Sequence, residues 1–309
     1  MLRTRAAMRA ALADLPPGTR VTAAVSGGAD SLALAAALAH AAPRRRLCPG
    51  AAVIDHGLQA GSDQQAAVAA DQCRELGLDP VVRRVRVGRR GGPEAAARSA
   101  RYRALDRLDA EVLLLGHTLD DQAETVLLGL ARGSGARSLA GMAAVSGHYR
   151  RPFLGLRRAD TAAACAALGL EPWVDPHNGD RRFLRSAVRL DLMPVLEAVL
   201  GAGAVAALGR SAEMLREDAD ALDEWADKAW PDVCAADGLD VAALAALPAA
   251  VRTRVLRRAA VLAGSPAGAL SGRQVTAMER LVTDWRGQGP VALPGGLVAE
   301  RRCDRLSVR

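Results

Sequence analysis

Aromatic residues are scarce in this chain. Trp, Tyr and Phe make up 3% of its 309 residues, so any core must be built from Ala, Leu and Val. Lysine is nearly absent, with Lys228 the only one, and almost all positive charge is arginine. A GC-rich coding bias explains Arg in place of Lys, but not the net charge of +7, which favours a polyanionic partner such as nucleic acid. The five cysteines, Cys48, Cys73, Cys165, Cys234 and Cys303, form no CxxC pair. Their odd number and wide scatter argue against a disulfide framework or a metal knuckle, and a reducing cytoplasm is the expected setting. No apolar run approaches the ~20 residues that cross a bilayer, so no membrane partner is expected. The N-terminal segment spaces Arg along an Ala-rich helix without an apolar targeting core, and reads as a surface helix. Also missing are the Gly-Lys-Ser/Thr ending of the common nucleotide P-loop and the GxGxxG of dinucleotide sites.

The length makes two domains the natural expectation. From Val21 to about Arg132, strand-like and helix-like segments alternate: strands at Val21–Val25, Ala51–Asp55, Val81–Val87 and Glu111–Leu115, with helical spacing between them. That alternation predicts an α/β domain with a doubly wound, mostly parallel sheet, in which ligands bind beyond the C-terminal strand ends. After about Leu200 the pattern turns helical, over Ala202–Trp230, Val241–Leu262 and Ser271–Trp285, and closes with an expected β hairpin. The expected division is residues 1–200 and 201–309.

The first strand runs into Ser26-Gly27-Gly28-Ala29-Asp30-Ser31 and then a long Ala/Leu helix. Strand, glycine turn and helix N-terminus converge on a point suited to a phosphate. Many α/β domains contain such a turn without a ligand, but here each residue has a separate use. Gly27 and Gly28 permit close backbone approach, and Ser26 and Ser31 can donate hydroxyls. Asp30 would repel phosphate unless Mg²⁺ lay between them, so it predicts a metal-bound nucleotide. Two other strand ends carry polar residues, Asp55-His56 and Gly116-His117. The latter opens GHTLDDQAET, residues 116–125. Thr118 and Asp121 fit a helix capping box, yet Asp121 and Glu124 also share a helix face. Such a carboxylate pair can hold Mg²⁺, or bind a cationic substrate and take its proton. Further on, Arg185 and Arg189 align on a helix, as a solvated face or as a grip on phosphate.

SGGADS matches the SGGxDS signature of the PP-loop pyrophosphatases, which cleave ATP to AMP and pyrophosphate. The chain resembles one branch of them over essentially all of residues 20–200. SGGADS, VIDHGL, PEAAARSARY, GHTLDDQAET, ARGSGARSLAGM, Arg151-Pro152-Phe153-Leu154 and DPHNGDRRFLRSAVR occur in the order seen in tRNA(Ile)-lysidine synthetases. Ser186 stands where that family usually has Asn. The helical breaks and terminal LPGG segment resemble the short form of the family, without an extra C-terminal domain.

The resemblance implies an AMP-forming, C–N bond-forming ligase. ATP would adenylate the wobble cytidine of tRNA(Ile) with a CAU anticodon, and the ε-amine of free L-lysine would displace AMP to give lysidine. It places Ser26–Ser31, His56 and Gly116 at ATP, with Ala29 in the loop backbone. Mg²⁺ would sit on Asp30 and Asp121, the lysine ammonium on Asp121 and Glu124, and the RNA or leaving phosphate on Arg132, Arg185 and Arg189. Asp30, Asp121, Glu124 and Arg185 would carry catalysis, and the C-terminal domain would bind the tRNA body. Monomer and homodimer are both compatible with the sequence. Two rivals remain: a 2-thiocytidine synthetase, which would normally need paired cysteines, and a catalytically silent RNA-binding protein, against which the intact motifs argue.

Overall fold

Small apolar residues let elements approach closely, and a computed structural model of the chain shows where that closeness is used. The structure describes residues 1–57, 61–88 and 92–309. Leu58 and Gly91, and the side chains of Pro93, Glu94, His177 and Asn178, lie outside the described residues.

Strands β1 (Arg20–Val25), β2 (Cys48–Asp55), β3 (Asp79–Arg84), β4 (Val112–Leu114), β5 (Val145–Ser146) and β6 (Tyr149–Arg150) form one sheet of order β3-β2-β1-β4-β6-β5. All its pairings are parallel except β5 with β6. Burial alternates along β1, where Val21, Ala23 and Val25 share one face. That face packs against α1 (Leu2–Ala11), α2 (Ala29–Ala41), α3 (Ser62–Glu75) and, from across the sequence, α7 (Arg158–Ala166). Ala33, Ala35, Ala37, Ala51, Ala69 and Ala70 make up much of this layer, filled out by Leu32, Leu34, Leu38 and Phe153. The opposite face buries Ala52, Leu113 and Leu115 against Leu105 of α4 (Pro93–Leu105). Helices on both faces of a mostly parallel sheet give the expected doubly wound fold. Edge strand β3 stops at Arg84 rather than Val87, because its partner β2 runs out at Asp55, which pairs with Arg84.

Helix α5 (Leu119–Ala131) leaves β4 directly, and α6 (Ala136–Leu139) is a single turn. Helices α8 (Leu184–Ala187) and α9 (Met193–Leu200) are joined by a π turn over Val188–Leu192, and α10 runs from Ala204 to Val233. Ala123, Leu128, Val188, Met193 and Val205 form a small core between these segments.

The chain separates into two compact units, Met1–Leu128 with Gly141–Ala212, and Gly129–Ala140 with Glu213–Arg309, so that they part inside α10. In the second unit the expected Val241–Leu262 helix is two, α11 (Val241–Ala246) and α12 (Ala249–Leu262). Pro248 disfavours helical backbone at Leu247, which is extended. These helices and α13 (Gly272–Thr283) bury Leu244, Val255, Leu256, Met278 and Leu281 together. The terminal hairpin is larger than expected: β7 (Cys234–Ala235), β8 (Gly238–Asp240), β9 (Val291–Ala292), β10 (Val298–Arg302) and β11 (Arg305–Val308) form an antiparallel sheet of order β7-β8-β11-β10-β9. A two-residue turn at Cys303-Asp304, with Cys303 left-handed at φ 51°, joins β10 to β11 without the Asn-Gly signature. Among the described residues, no single helix is long and apolar enough to cross a membrane.

Candidate active site

The end of β1 delivers Ser26 into a loop whose shape its own hydroxyls hold. Gly27 takes φ +85°, a left-handed conformation that favours glycine, and Gly28 caps α2 in extended conformation. The Ser31 hydroxyl donates to the Gly28 carbonyl at 2.8 Å and accepts the Ser26 N–H at 3.1 Å, with the Ser26 hydroxyl 3.3 Å away. Ser31 thus spends its proton bracing the loop. From outside, the Trp173 N–H donates to the Gly27 carbonyl at 2.9 Å. Ala29 and Asp30 lie in the first turn of α2.

Gly116, at the end of β4, lies against this loop. A Cβ there would stand 3.0 Å from the Asp30 carbonyl oxygen and 3.1 Å from its carbon, both backbone atoms that cannot swing away. Gly116→Ala is therefore expected to displace the loop at a cost of about 1–3 kcal/mol. A thermal melt and ATP affinity check this; a variant matching the parent in both would show the contact to be slack.

The acids of α5 sit on the same side. Thr118 donates to Asp121 Oδ2 through its backbone N–H at 2.8 Å and its hydroxyl at 2.9 Å. The other oxygen, Oδ1, lies 3.1 Å from both Arg158 Nη2 and Arg189 Nη2. Capping and ion pairing thus fall on different oxygens of one carboxylate. Glu124 is 1% exposed, and Arg189 grips it with Nε at 2.7 Å and Nη2 at 3.1 Å. Arg158 Nη2 lies 3.3 Å from Glu124, and Arg185 Nε 3.9 Å. Arg185 donates to Thr125 at 3.1 Å, while its buried Nε has no hydrogen-bond partner. Arg158 also reaches Asp30, its Nε 3.6 Å from Oδ2, and the Thr161 hydroxyl donates to Asp30 Oδ1. A hollow of about 110 Å³ opens beside this cluster, lined by Glu124, Arg158, Arg189, Met193, Pro194 and Glu197.

The environments of the two aspartates push them apart. Burial drives the Asp30 carboxyl above its ordinary value, against the Thr161 hydrogen bond and the Arg158 charge. Burial would do the same to Asp121, but Arg158, the Thr118 N–H and Arg189 together hold it below. His56 and His117 each bury an Nδ1 with no hydrogen-bond partner. Burial lowers both imidazoles, that of His117 to about 3, so each is neutral at pH 7. Desolvation pulls the Arg189 guanidinium down, but Glu124 and Asp121 together lift it above its ordinary value.

The structure therefore gathers Asp30, Asp121, Glu124, Arg185 and Arg189 into one cluster, beside Ser26–Ser31 and Gly116. Arg132 is exposed and belongs to the second unit. Ser186 is buried on α8. Arg158 and Thr161 were missed by the sequence reading; the available signal was a basic pair, Arg157-Arg158, opening a helix just after the Arg151–Leu154 motif. Among the described residues, no group of three or more His, Cys, Asp or Glu is placed to hold a metal ion. Burial raises the Cys73 and Cys165 thiols to about 11, leaving them protonated and poor sulfur carriers.

Residues 3–196 match the PP-loop domain family, and residues 239–307 the TilS substrate binding domain family. The tRNA(Ile)-lysidine synthases of Thermobifida fusca and Streptomyces coelicolor are each 56% identical, over 98% and 96% of this chain and 96% and 86% of theirs. That of Salinispora tropica is 54% identical over 98% of this chain and 94% of its own. A U34-tRNA thiolase from Methanococcus maripaludis, solved with its [4Fe-4S] cluster, shares the fold at TM-score 0.60 and 20% identity, over 70% of this chain and 79% of that one. With near-full-length identity above half and both domain families matched in order, the chain belongs to the tRNA(Ile)-lysidine synthases, ATP-dependent ligases that form a C–N bond.

Proposed function

We propose that the cluster at the ends of β1 and β4 joins L-lysine to the wobble cytidine of tRNA(Ile) with a CAU anticodon. The observation that carries this reading is the buried pair Asp121 and Glu124, with Glu124 lining a hollow to which Met193, Pro194 and Val205 also contribute. A lining that mixes acids with apolar side chains suits an ammonium on a methylene stem.

In this reading the Ser26–Ser31 loop and the N-terminus of α2 receive the ATP phosphates. The cytidine O2 attacks the α-phosphorus, pyrophosphate leaves, and the base is adenylated. Lysine's ε-nitrogen then attacks C2, the C2–O2 bond breaks, and AMP leaves carrying that oxygen. Asp121 and Glu124 hold the ammonium, and one of them accepts the proton that frees its lone pair. The spare Nε of Arg185 is available to a phosphate oxygen. The donor set suits Mg²⁺, which takes one or two carboxylates and completes its shell with phosphate oxygens and water: Asp30 and Asp121 are the carboxylates that would hold it. When bound it would offset charge on the phosphates. A neutral His117 can pair with a ligand without adding charge. We assign tRNA-body contacts to the second unit, to which Arg132 belongs, and place the reaction in the cytoplasm.

Incubation with ATP, Mg²⁺, labelled lysine and the tRNA tests the reading. Label should enter the RNA, with AMP rather than ADP produced. Asp30→Ala and Asp121→Ala should each lower turnover at least about a thousandfold while the protein stays folded. Thiolation of a related tRNA without lysine entry, or turnover retained in either variant, would refute it.

A further inference from the structure

Arg158 stands between three carboxylates: the proposed reaction assigns Asp30 to the nucleotide's Mg²⁺, Glu124 to the amine, and Asp121 to both. Its Nε lies 3.6 Å from Asp30, on the nucleotide side, and its Nη2 lies 3.1 Å from Asp121 and 3.3 Å from Glu124, on the amine side. Its backbone is fixed, because its N–H donates to Asp120 at 2.8 Å at the start of α7. Its side chain is 31% exposed and has room to move. One turn along, Thr161 holds the other oxygen of Asp30, so a single helix touches both halves of the site. Arg189 differs. It closes on Glu124 with two nitrogens and on Asp121 with one, as a counterion to the amine side.

The charges in the cluster are close to balanced. Asp30, Asp121 and Glu124 face Arg158 and Arg189, with Arg185 at the margin at 3.9 Å. An ammonium entering between Asp121 and Glu124 would meet a guanidinium already occupying the same oxygens. A triphosphate arriving beside Asp30 offers that guanidinium a stronger partner, since planar forks bind phosphate oxygens in bidentate fashion.

We propose that Arg158 is a positioning residue that couples the two ligands: the nucleotide draws its guanidinium off Asp121 and Glu124 and so removes one of the two cations, Arg189 being the other, that compete there with the amine. The inference rests on the lysine reading above. It makes lysine binding conditional on ATP, so amines engage the acids only when the activating nucleotide is in place. Linkage makes the effect reciprocal, with lysine tightening nucleotide binding by the same factor.

The full chain without tRNA tests this by calorimetric titration of L-lysine, with and without Mg²⁺ and α,β-methylene-ATP. In the parent protein the nucleotide should tighten lysine binding about tenfold, within the usual range of coupling between sites. Arg158→Gln should bind lysine alone at least as tightly as the parent does, and lose all but about twofold of the enhancement. Arg158→Lys, which keeps a positive charge but not the fork, should fold and lose at least about threefold of it, so the test stands if the Gln variant unfolds. A parent factor near one with lysine bound, or a full factor in either variant, overturns this inference alone. Absence of lysine binding in both states overturns the lysine reading, and this inference with it.

Discussion

Truncating Glu124 to alanine is expected to destabilise the protein by about 3 kcal/mol and to abolish lysine transfer. The carboxylate is 1% exposed and is the common partner of Arg189, Arg158 and Arg185. Removing it leaves guanidiniums facing one another around a void, and an uncompensated buried charge costs far more than the intact pair contributes. The figure lies at the low end of about 3–5 kcal/mol because Arg158 and Arg189, 31% and 24% exposed, can turn partly to water. For a chain of 309 residues that corresponds to a fall in melting temperature of about 5 °C. Glu124→Gln keeps the volume and an acceptor, so it should melt between the two while remaining inactive. Melting curves of the three proteins decide the matter: an alanine variant within a degree or two of the parent would mean that the acid is not the hub the geometry indicates.

Acid sensitivity supplies the second large effect. Burial lowers His117 to about 3, while the unfolded chain takes up its proton near 6.5. Between those values the unfolded state binds a proton that the native state refuses, so stability is lost as pH falls from about 6.5 towards 3. At pH 4 the loss from this one group amounts to about 3 kcal/mol. His117→Gln removes the titrating group and should flatten that part of the curve. Asp30 works in the opposite direction: its raised carboxyl favours the folded state as pH drops, so Asp30→Asn should steepen the decline. Denaturant melts at pH 7, 5 and 4 measure both slopes. Parallel curves for parent and His117→Gln would show that the imidazole is hydrated in the native state.

Residues whose signal is local were readable from the sequence, and those defined by distant contact were not. The Ser26–Ser31 loop, the strand ends and the Asp121–Glu124 pair each carry their chemistry within a few neighbours. Asp121 posed an apparent choice between helix cap and site residue, which the two-oxygen geometry dissolves. Ser31 was expected to offer a hydroxyl to phosphate, and instead donates it to Gly28. Arg158 had only a weak local mark, the basic pair it forms with Arg157, and Thr161 had none, because what singles them out is α7 lying against α2, with Thr161 and Asp30 separated by 131 residues. The terminal sheet escaped for a similar reason: two-residue strands such as β7 and β9 acquire identity only from the neighbours they pair with.

The alanine-built layer between the sheet and α2 skews how this protein tolerates mutation. Ala33, Ala35, Ala37 and Ala51 have almost no side chain to lose, so truncation there removes little. Enlargement is another matter, because an added methyl group or isobutyl arm meets a core that is already packed and forces its neighbours apart, at about 1–3 kcal/mol per site. Vulnerability to loss is concentrated in the few bulky members, Leu32, Leu34, Leu38 and Phe153. Random mutagenesis of this layer should therefore return a lopsided spectrum, with disabling changes that mostly add atoms.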